Sequence, residues 1–235
     1  MTDLTSLQRD VRLLARACDR AGLSTAYGHC SVRIDDASFL VCASKPMGLI
    51  TPWDDGHVVP LDAPLPDAVL GEVRMHREVY RLRPDVNAIV RFISPNVTAL
   101  AAQGHTPRAR HGFGAYFAPQ VPWWPDSGLV RNDEAAAGVA RTLGAASGIV
   151  VSVNGAVVAG ADAAQALALA VFLEDSARVE LAARQGGHDA GPVLTELQSR
   201  ARATWAGKVA ERLWDYWTHG DPERSVSAGG ARSSA

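Results

Sequence analysis

Cysteine is scarce and badly placed for cross-linking. Three residues, Cys18, Cys30 and Cys42, serve a chain of 235. They form no C-x-x-C pair and leave an odd thiol, which excludes a disulfide framework and fits a reducing cytoplasm. Their ordinary role is that of small buried side chains. There is no basic tract and the net charge is −2, so nothing provides for nucleic acid. No apolar run reaches the ~18 residues that span a bilayer. The N-terminus, MTDLTSLQRDVRLL, lacks the basic-then-apolar order of a signal peptide. No internal repeat is present. These absences leave a cytoplasmic globular protein with a small-molecule partner, off the membrane. The composition, 47% apolar and 20% charged, suits one well-cored domain or at most two.

The periodicities then set out the chain. Leu4, Leu7, Val11, Leu14 and Cys18 share one face of a helix over 3–21, stopped by Gly22. Cys30–Ile34 alternates as a strand, with Phe39–Cys42 as its hairpin partner. Residues 46–68 are rich in proline and glycine, with short strand character at His57–Leu61. Val69, Val73, His76 and Tyr80 form a helical stripe, on which Glu72 and His76 stand four apart. The Arg83-Pro84-Asp85 turn ends that helix. Val86–Val90 reads as a buried strand with Arg91 at its end, and Ser94-Pro95 opens the next helix.

Residues 105–125 form a loop carrying His105, His111, Tyr116 and two tryptophans, suited to a pocket wall or a subunit contact. Asn132 caps a helix over 132–143. Gly148–Val153 is a buried strand, Asn154–Gly160 follows it, and Asp162 caps a long helix over 163–185. A last helical segment covers 193–219. The chain divides into one domain over 1–222 and a disordered tail over 223–235, which ends in SVSAGGARSSA.

The stretch VLGEVRMHREVYRLRPDVNAIVRFISPNVTALAAQG, residues 69–104, resembles the class II aldolase/adducin family. The family's pattern there is a glutamate four residues before a helical histidine, then ARPDV-A-VVHTHSP-ATALA. LRPDVNAIV and SPNVTALAAQG match it closely, and the resemblance runs over residues 5–185. It implies an α/β fold of three layers, α/β/α, with a mainly antiparallel central sheet. It also implies a homotetramer with sites between subunits.

The resemblance breaks at the metal ligands. The family's His-x-His pair falls on Arg91 and Ile93, and its third histidine, in "-RNHG-VV-G", falls on Asn154. Glu72 falls on the catalytic glutamate and His76 on the helix histidine. The family's "GN-S-R" asparagine is His29, and its "TPSG" loop is Cys42–Lys45. Two serines that precede the glutamate in the aldolases are Leu70 and Gly71 here.

These departures shape the expected chemistry. Without the serine hydroxyls, a sugar phosphate is disfavoured and an unphosphorylated carboxylic acid suits Arg91, His29 and Lys45. The expected reaction is carbon–carbon cleavage through an enolate, chiefly decarboxylation, with no cofactor and no family metal. Arg91 binds carboxylate or enolate oxygen. Glu72, its expected resting partner, or His76 returns the proton. His29, Ser44, Lys45, His111, Tyr116 and Asn154 are the substrate-binding candidates. The rivals are a divalent metal such as zinc on a relocated set drawn from His29, His76, His111 and Glu72, an adducin-like binding protein without catalysis, and an enolate-based cyclase or dehydratase.

Overall fold

The computed structural model describes residues 3–187 and 191–224. Of the tail expected over 223–235, residues 225–235 lie outside the described residues.

Helix α1 (Leu4–Arg20) leads to strands β1 (Gly28–Arg33), β2 (Ser38–Val41) and β3 (His57–Pro60). Helix α2 (Arg74–Leu82), strand β4 (Ala88–Phe92) and helix α3 (Pro95–Ala101) follow. The second half holds β5 (Trp123–Trp124), α4 (Asp133–Leu143), β6 (Gly148–Val151), β7 (Ala156–Gly160), α5 (Ala163–Gln185), α6 (Glu196–Arg202) and α7 (Val209–Thr218). The strands form one sheet in the order β3-β2-β1-β4-β7-β6-β5. Every neighbouring pair is antiparallel except β5 with β6.

Strand alternation divides the interior into two cores, because successive side chains point to opposite faces. Cys30, Val32, Leu40, Ala88, Val90, Phe92, Ala156 and Val158 join the core under α1, α3 and α5. Phe39, Val41, Ile89, Val151, Val157 and Ala159 join the other core, under α2 and α4. Burying each large side chain contributes about 1.5–3 kcal/mol. The result is the expected three-layer α/β/α arrangement, its sheet mainly antiparallel. The three cysteines are buried and free, as their composition-level role requires.

Boundaries moved at three places that matter. The helix expected to run from Val69 starts with a tight 3-10 turn at Gly71–Val73, so Glu72 precedes α2. The strand after Pro84 starts at Ala88 and ends at Phe92, so Arg91 lies within β4 and not beyond its end. The segment 193–219 splits into α6 and α7. The chain end is held too: Asp221 and Glu223 pair with Arg16 at 2.7 and 2.8 Å, and Glu223 also pairs with Arg12 at 2.7 Å. Glu223, placed in the tail by composition, is thus tied to α1.

Candidate active site

The face of the sheet toward α2 is apolar except across the middle of β1 and β4. Ile89 faces α2, so Arg91, two residues on, faces the same way. Its cross-strand neighbours are His29 on β1 and Val157 on β7. The same alternation puts Ser31 on that face beside His29. A run of polar residues on one face of a buried strand is a signal that the sequence offered.

Arg91 is 7% exposed. Its Nη2 donates to the Asn154 carbonyl at 3.2 Å, and its Nε–H has no protein acceptor. Gly155 makes the approach of that carbonyl possible. It adopts φ +83°, and a Cβ there would lie 2.1 Å from the Phe92 carbonyl oxygen. Burial lowers the Arg91 pKa from its ordinary value, and the Glu72 carboxylate opposes the shift.

Arg91 and Glu72 share a cleft of about 280 Å³ with His29, Ser44, Lys45 and Arg131, walled by Tyr27, Pro46 and Leu70. Hollows elsewhere are larger, such as the one of about 430 Å³ between Phe113, Phe172 and Trp217. This cleft is set apart by its charges and by two buried atoms without partners, Arg91 Nε and His29 Nε2. Leaving a buried polar group unpaired costs about 1–3 kcal/mol, and more for a charged one. Two such atoms on neighbouring strands mark a place for a ligand's polar atoms.

Glu72 does not rest against Arg91. Its carboxylate accepts from Arg131 Nε at 2.9 Å, and Arg131 is 63% exposed in its side chain. Arg131 was not anticipated from the sequence. It precedes the Asn132 cap, whose side chain accepts from the Ala135 N–H at 2.8 Å, and no local pattern points it at residue 72. Lys45 pairs with Asp54, while the Ser44 hydroxyl donates to the Ala68 carbonyl at 2.6 Å. Leu70, 42% exposed, puts an apolar wall where the resemblance implies a hydroxyl.

His76 does not reach the cleft. It is wholly buried behind His29: its Nε2 lies 3.0 Å from His29 Nδ1, and its Nδ1 lies 2.7 Å from Ser31 Oγ. Ser31 Oγ is in turn 2.9 Å from the Tyr80 hydroxyl. Burial first, then the neighbouring Arg91, pushes the His76 pKa down to about 3. Burial, His76 and Arg91 together hold His29 well below the ordinary histidine value. Both rings are neutral at physiological pH.

His111 and Tyr116 are placed elsewhere. They pack on α5, on the opposite face of the sheet. His111 Nε2 lies 3.4 Å from Ser176 Oγ, and the Tyr116 ring stands 5.1 Å from that of Phe172. The loop that carries them is pinned by Arg108 and Arg110, which pair with the buried Glu180 at 2.6 Å each. Asn154 meets the site through its backbone; its side-chain amide donates to the carbonyls of Ser127 and Gly128 at 3.4 and 3.3 Å.

The residues at the family's ligand positions do not suit a divalent cation. Arg91 repels one, Ile93 has no donor atom, and Asn154, whose amide nitrogen is turned to the carbonyls of Ser127 and Gly128, leaves one neutral carbonyl oxygen where the family pattern has three imidazoles. The relocated set fails on geometry: His111 lies across the sheet, and His29 and His76 spend ring nitrogens on each other. Among the described residues no group of three or more His, Cys, Asp or Glu side chains converges to hold a metal. No helix of the described residues is long and apolar enough to cross a membrane.

The arrangement has clear likenesses. The family model of the Class II Aldolase and Adducin N-terminal domain matches residues 9–181. A 3,4-dihydroxyphthalate decarboxylase of Arthrobacter keyseri is 30% identical over 198 residues, 75% of this chain and 78% of that protein. The L-fuculose-1-phosphate aldolase of Thermus thermophilus superposes with a TM-score of 0.70 at 28% identity, covering 80% of this chain and 98% of that one. An aldolase II superfamily protein of Pseudomonas syringae reaches a TM-score of 0.77 at 18% identity, with 92% of each chain covered. These relatives include an aldolase and a decarboxylase, which supports a lyase. By its matched residues and its fold, the chain belongs to the class II aldolase/adducin family.

Proposed function

We propose that this protein is a carbon–carbon lyase, a decarboxylase of a small unphosphorylated aromatic or dienoic acid, acting without the family metal. The observation that carries the reading is Arg91: a buried guanidinium with an orphaned Nε–H, in a cleft beside a carboxylate. A fixed guanidinium fork binds a carboxylate or an enolate oxygen without reorganising. In the proposed step Glu72, released from Arg131 and protonated from solvent, gives its proton to carbon. With an aromatic acid this comes first, at the carbon bearing the carboxylate, while a ring hydroxyl loses its proton and becomes a carbonyl; with an oxo-acid it comes last, on the enolate carbon. In both, the bond to the carboxylate breaks, CO2 departs, and the electron pair moves onto the carbonyl oxygen facing Arg91. His76, sealed behind His29, is not placed to give that proton. Leu70 and Gly71 offer no hydroxyls, and the likeness to a decarboxylase at 30% identity favours loss of CO2 over cleavage of a sugar phosphate.

The test is CO2 release from a panel of dihydroxy- and oxo-acids that includes 3,4-dihydroxyphthalate, beside L-fuculose 1-phosphate. Turnover of an acid, and none of the sugar phosphate, is expected. Turnover of the sugar phosphate alone reverses the reading. Carboxylate binding without CO2 release makes the chain a binding protein.

A further inference from the structure

Tyr80, Ser31, His76 and His29 form one unbroken buried chain. Its links are Tyr80 Oη to Ser31 Oγ at 2.9 Å, Ser31 Oγ to His76 Nδ1 at 2.7 Å, and His76 Nε2 to His29 Nδ1 at 3.0 Å. Its far end, His29 Nε2, is buried at the cleft with no protein partner. The hydrogens on these atoms follow from counting. Each hydroxyl brings one, and each neutral imidazole brings one. That makes four hydrogens for three links, so one hydrogen must leave at an end.

The two ends are not equal. Tyr80 is 2% exposed, and Ser31 is the one hydrogen-bond partner of its hydroxyl among the described residues. Pointing the surplus hydrogen there strands a donor in the core, at a cost of about 1–3 kcal/mol. At the other end His29 lines the cleft, where a bound ligand's oxygen can accept it. Tyr80 therefore donates to Ser31, Ser31 to His76 Nδ1, and His76 Nε2–H to His29 Nδ1. We infer that this chain locks His29 as the Nε2–H tautomer, so that His29 and Arg91 together form a two-donor oxyanion site on the cleft floor.

Position agrees with direction. His29 and Arg91 are paired across β1 and β4, so the two orphaned donors stand side by side. Desolvation and the nearby guanidinium keep the ring neutral. A neutral imidazole used as a donor to a developing oxyanion needs no proton transfer to act. His29 is then a catalytic residue, and Ser31, His76 and Tyr80 are positioning residues. The assignment rests on the reading that substrate occupies this cleft; the tautomer itself does not.

The experiment is 15N NMR of the full-length protein labelled at histidine, at neutral pH, with the rings assigned through His29→Gln and His76→Gln. Two neutral Nε2–H imidazoles are expected. On titration with benzoate, chosen as a plain carboxylate probe, the His29 Nε2 resonance should move while the His76 resonances stay nearly fixed. In Arg91→Ala the benzoate affinity should fall tenfold or more. An Nδ1–H tautomer or an imidazolium at His29 overturns the inference, even in an active enzyme. A benzoate-insensitive His29 overturns the oxyanion site. Failure of every acid substrate leaves the tautomer result standing and counts against the decarboxylase alone.

Discussion

Arg91 concentrates the functional question in one side chain. In the family pattern its position belongs to a metal ligand, and a guanidinium supplies charge there without coordination. If it anchors an anion, geometry counts as much as charge, because lysine lacks the planar fork. Arg91→Lys and Arg91→Ala should both lose tenfold or more in turnover, equivalent to about 1.4 kcal/mol in the barrier, while circular dichroism shows a folded protein. Parent-like turnover in Arg91→Ala removes the anchor. Arg131 makes the complementary case. Arg131→Ala frees Glu72 and opens the cleft, so the expected change is in KM more than in kcat, within about tenfold. A loss confined to kcat would place Arg131 on the transition state instead. Protein purified without chelator is expected to hold far less than one zinc, iron or manganese per chain by elemental analysis. One metal per chain, removed by chelator together with activity, reverses that expectation.

At the scale of elements, the sequence was legible wherever one pattern acted alone. The apolar stripe of α1, the Asn132 and Asp162 caps and the alternation of β1 are local signals, and the structure keeps them. What was lost is non-local. Arg131 meets Glu72 across 59 residues, and no window of sequence contains both. His111 and Tyr116 looked like pocket residues because aromatic loops line pockets, but Glu180 pins their loop to α5. Helix α3 shows the same kind of dependence. Ser94 reads as its cap, yet its hydroxyl donates to Glu174 at 2.5 Å, and Glu174 itself accepts from the N–H groups of Asn96 and Val97 at 3.0 Å each. The carboxylate of a distant helix thus serves the first turn.

The chain end is another such element: Asp221, with no side-chain exposure, is held by Arg16 and Arg20 of α1. Removing one partner of a buried pair strands the other. Arg16→Ala should therefore cost about 3 kcal/mol in denaturant unfolding and speed amide exchange after Thr218. A loss under about 0.5 kcal/mol would mean that the network is a surface ornament.

For the molecule as a whole, the site and the clamp give the stability a shape in pH. His29 and His76 are neutral when folded, with pKa values held below that of a free histidine by burial and by Arg91. The unfolded chain binds protons at these rings as pH falls through about 6.5, while the folded one does not. Proton uptake by the unfolded state makes stability fall as pH is lowered. For His76 the fall continues down to its folded value of about 3, at about 1.4 kcal/mol per pH unit at most. At Asp221 and Glu223 burial pushes the pKa up, but hydrogen bonds outweigh it and hold both carboxyls low. They come from Arg16 for Asp221, and from Arg12 and Arg16 for Glu223. Their contribution is present above the unfolded carboxylate values and is lost as pH falls through the lowered folded ones. Both effects act in the same direction but begin at different points, the histidines near pH 6.5 and the carboxylates below about 4.5. Tm should therefore stay flat from pH 8 to about 6.5 and then decline in two stages. His76→Gln keeps a hydrogen-bonding side chain without that ring's titration, so it should make the decline that begins near pH 6.5 shallower, leaving the part that His29 contributes, while the carboxylate stage still sets in below about pH 4.5. Arg16→Ala should do the reverse. A Tm profile of the parent that is level down to pH 5 would show that the two rings take up protons in the folded protein as readily as in the unfolded chain, and would overturn the reading that burial and Arg91 hold them neutral.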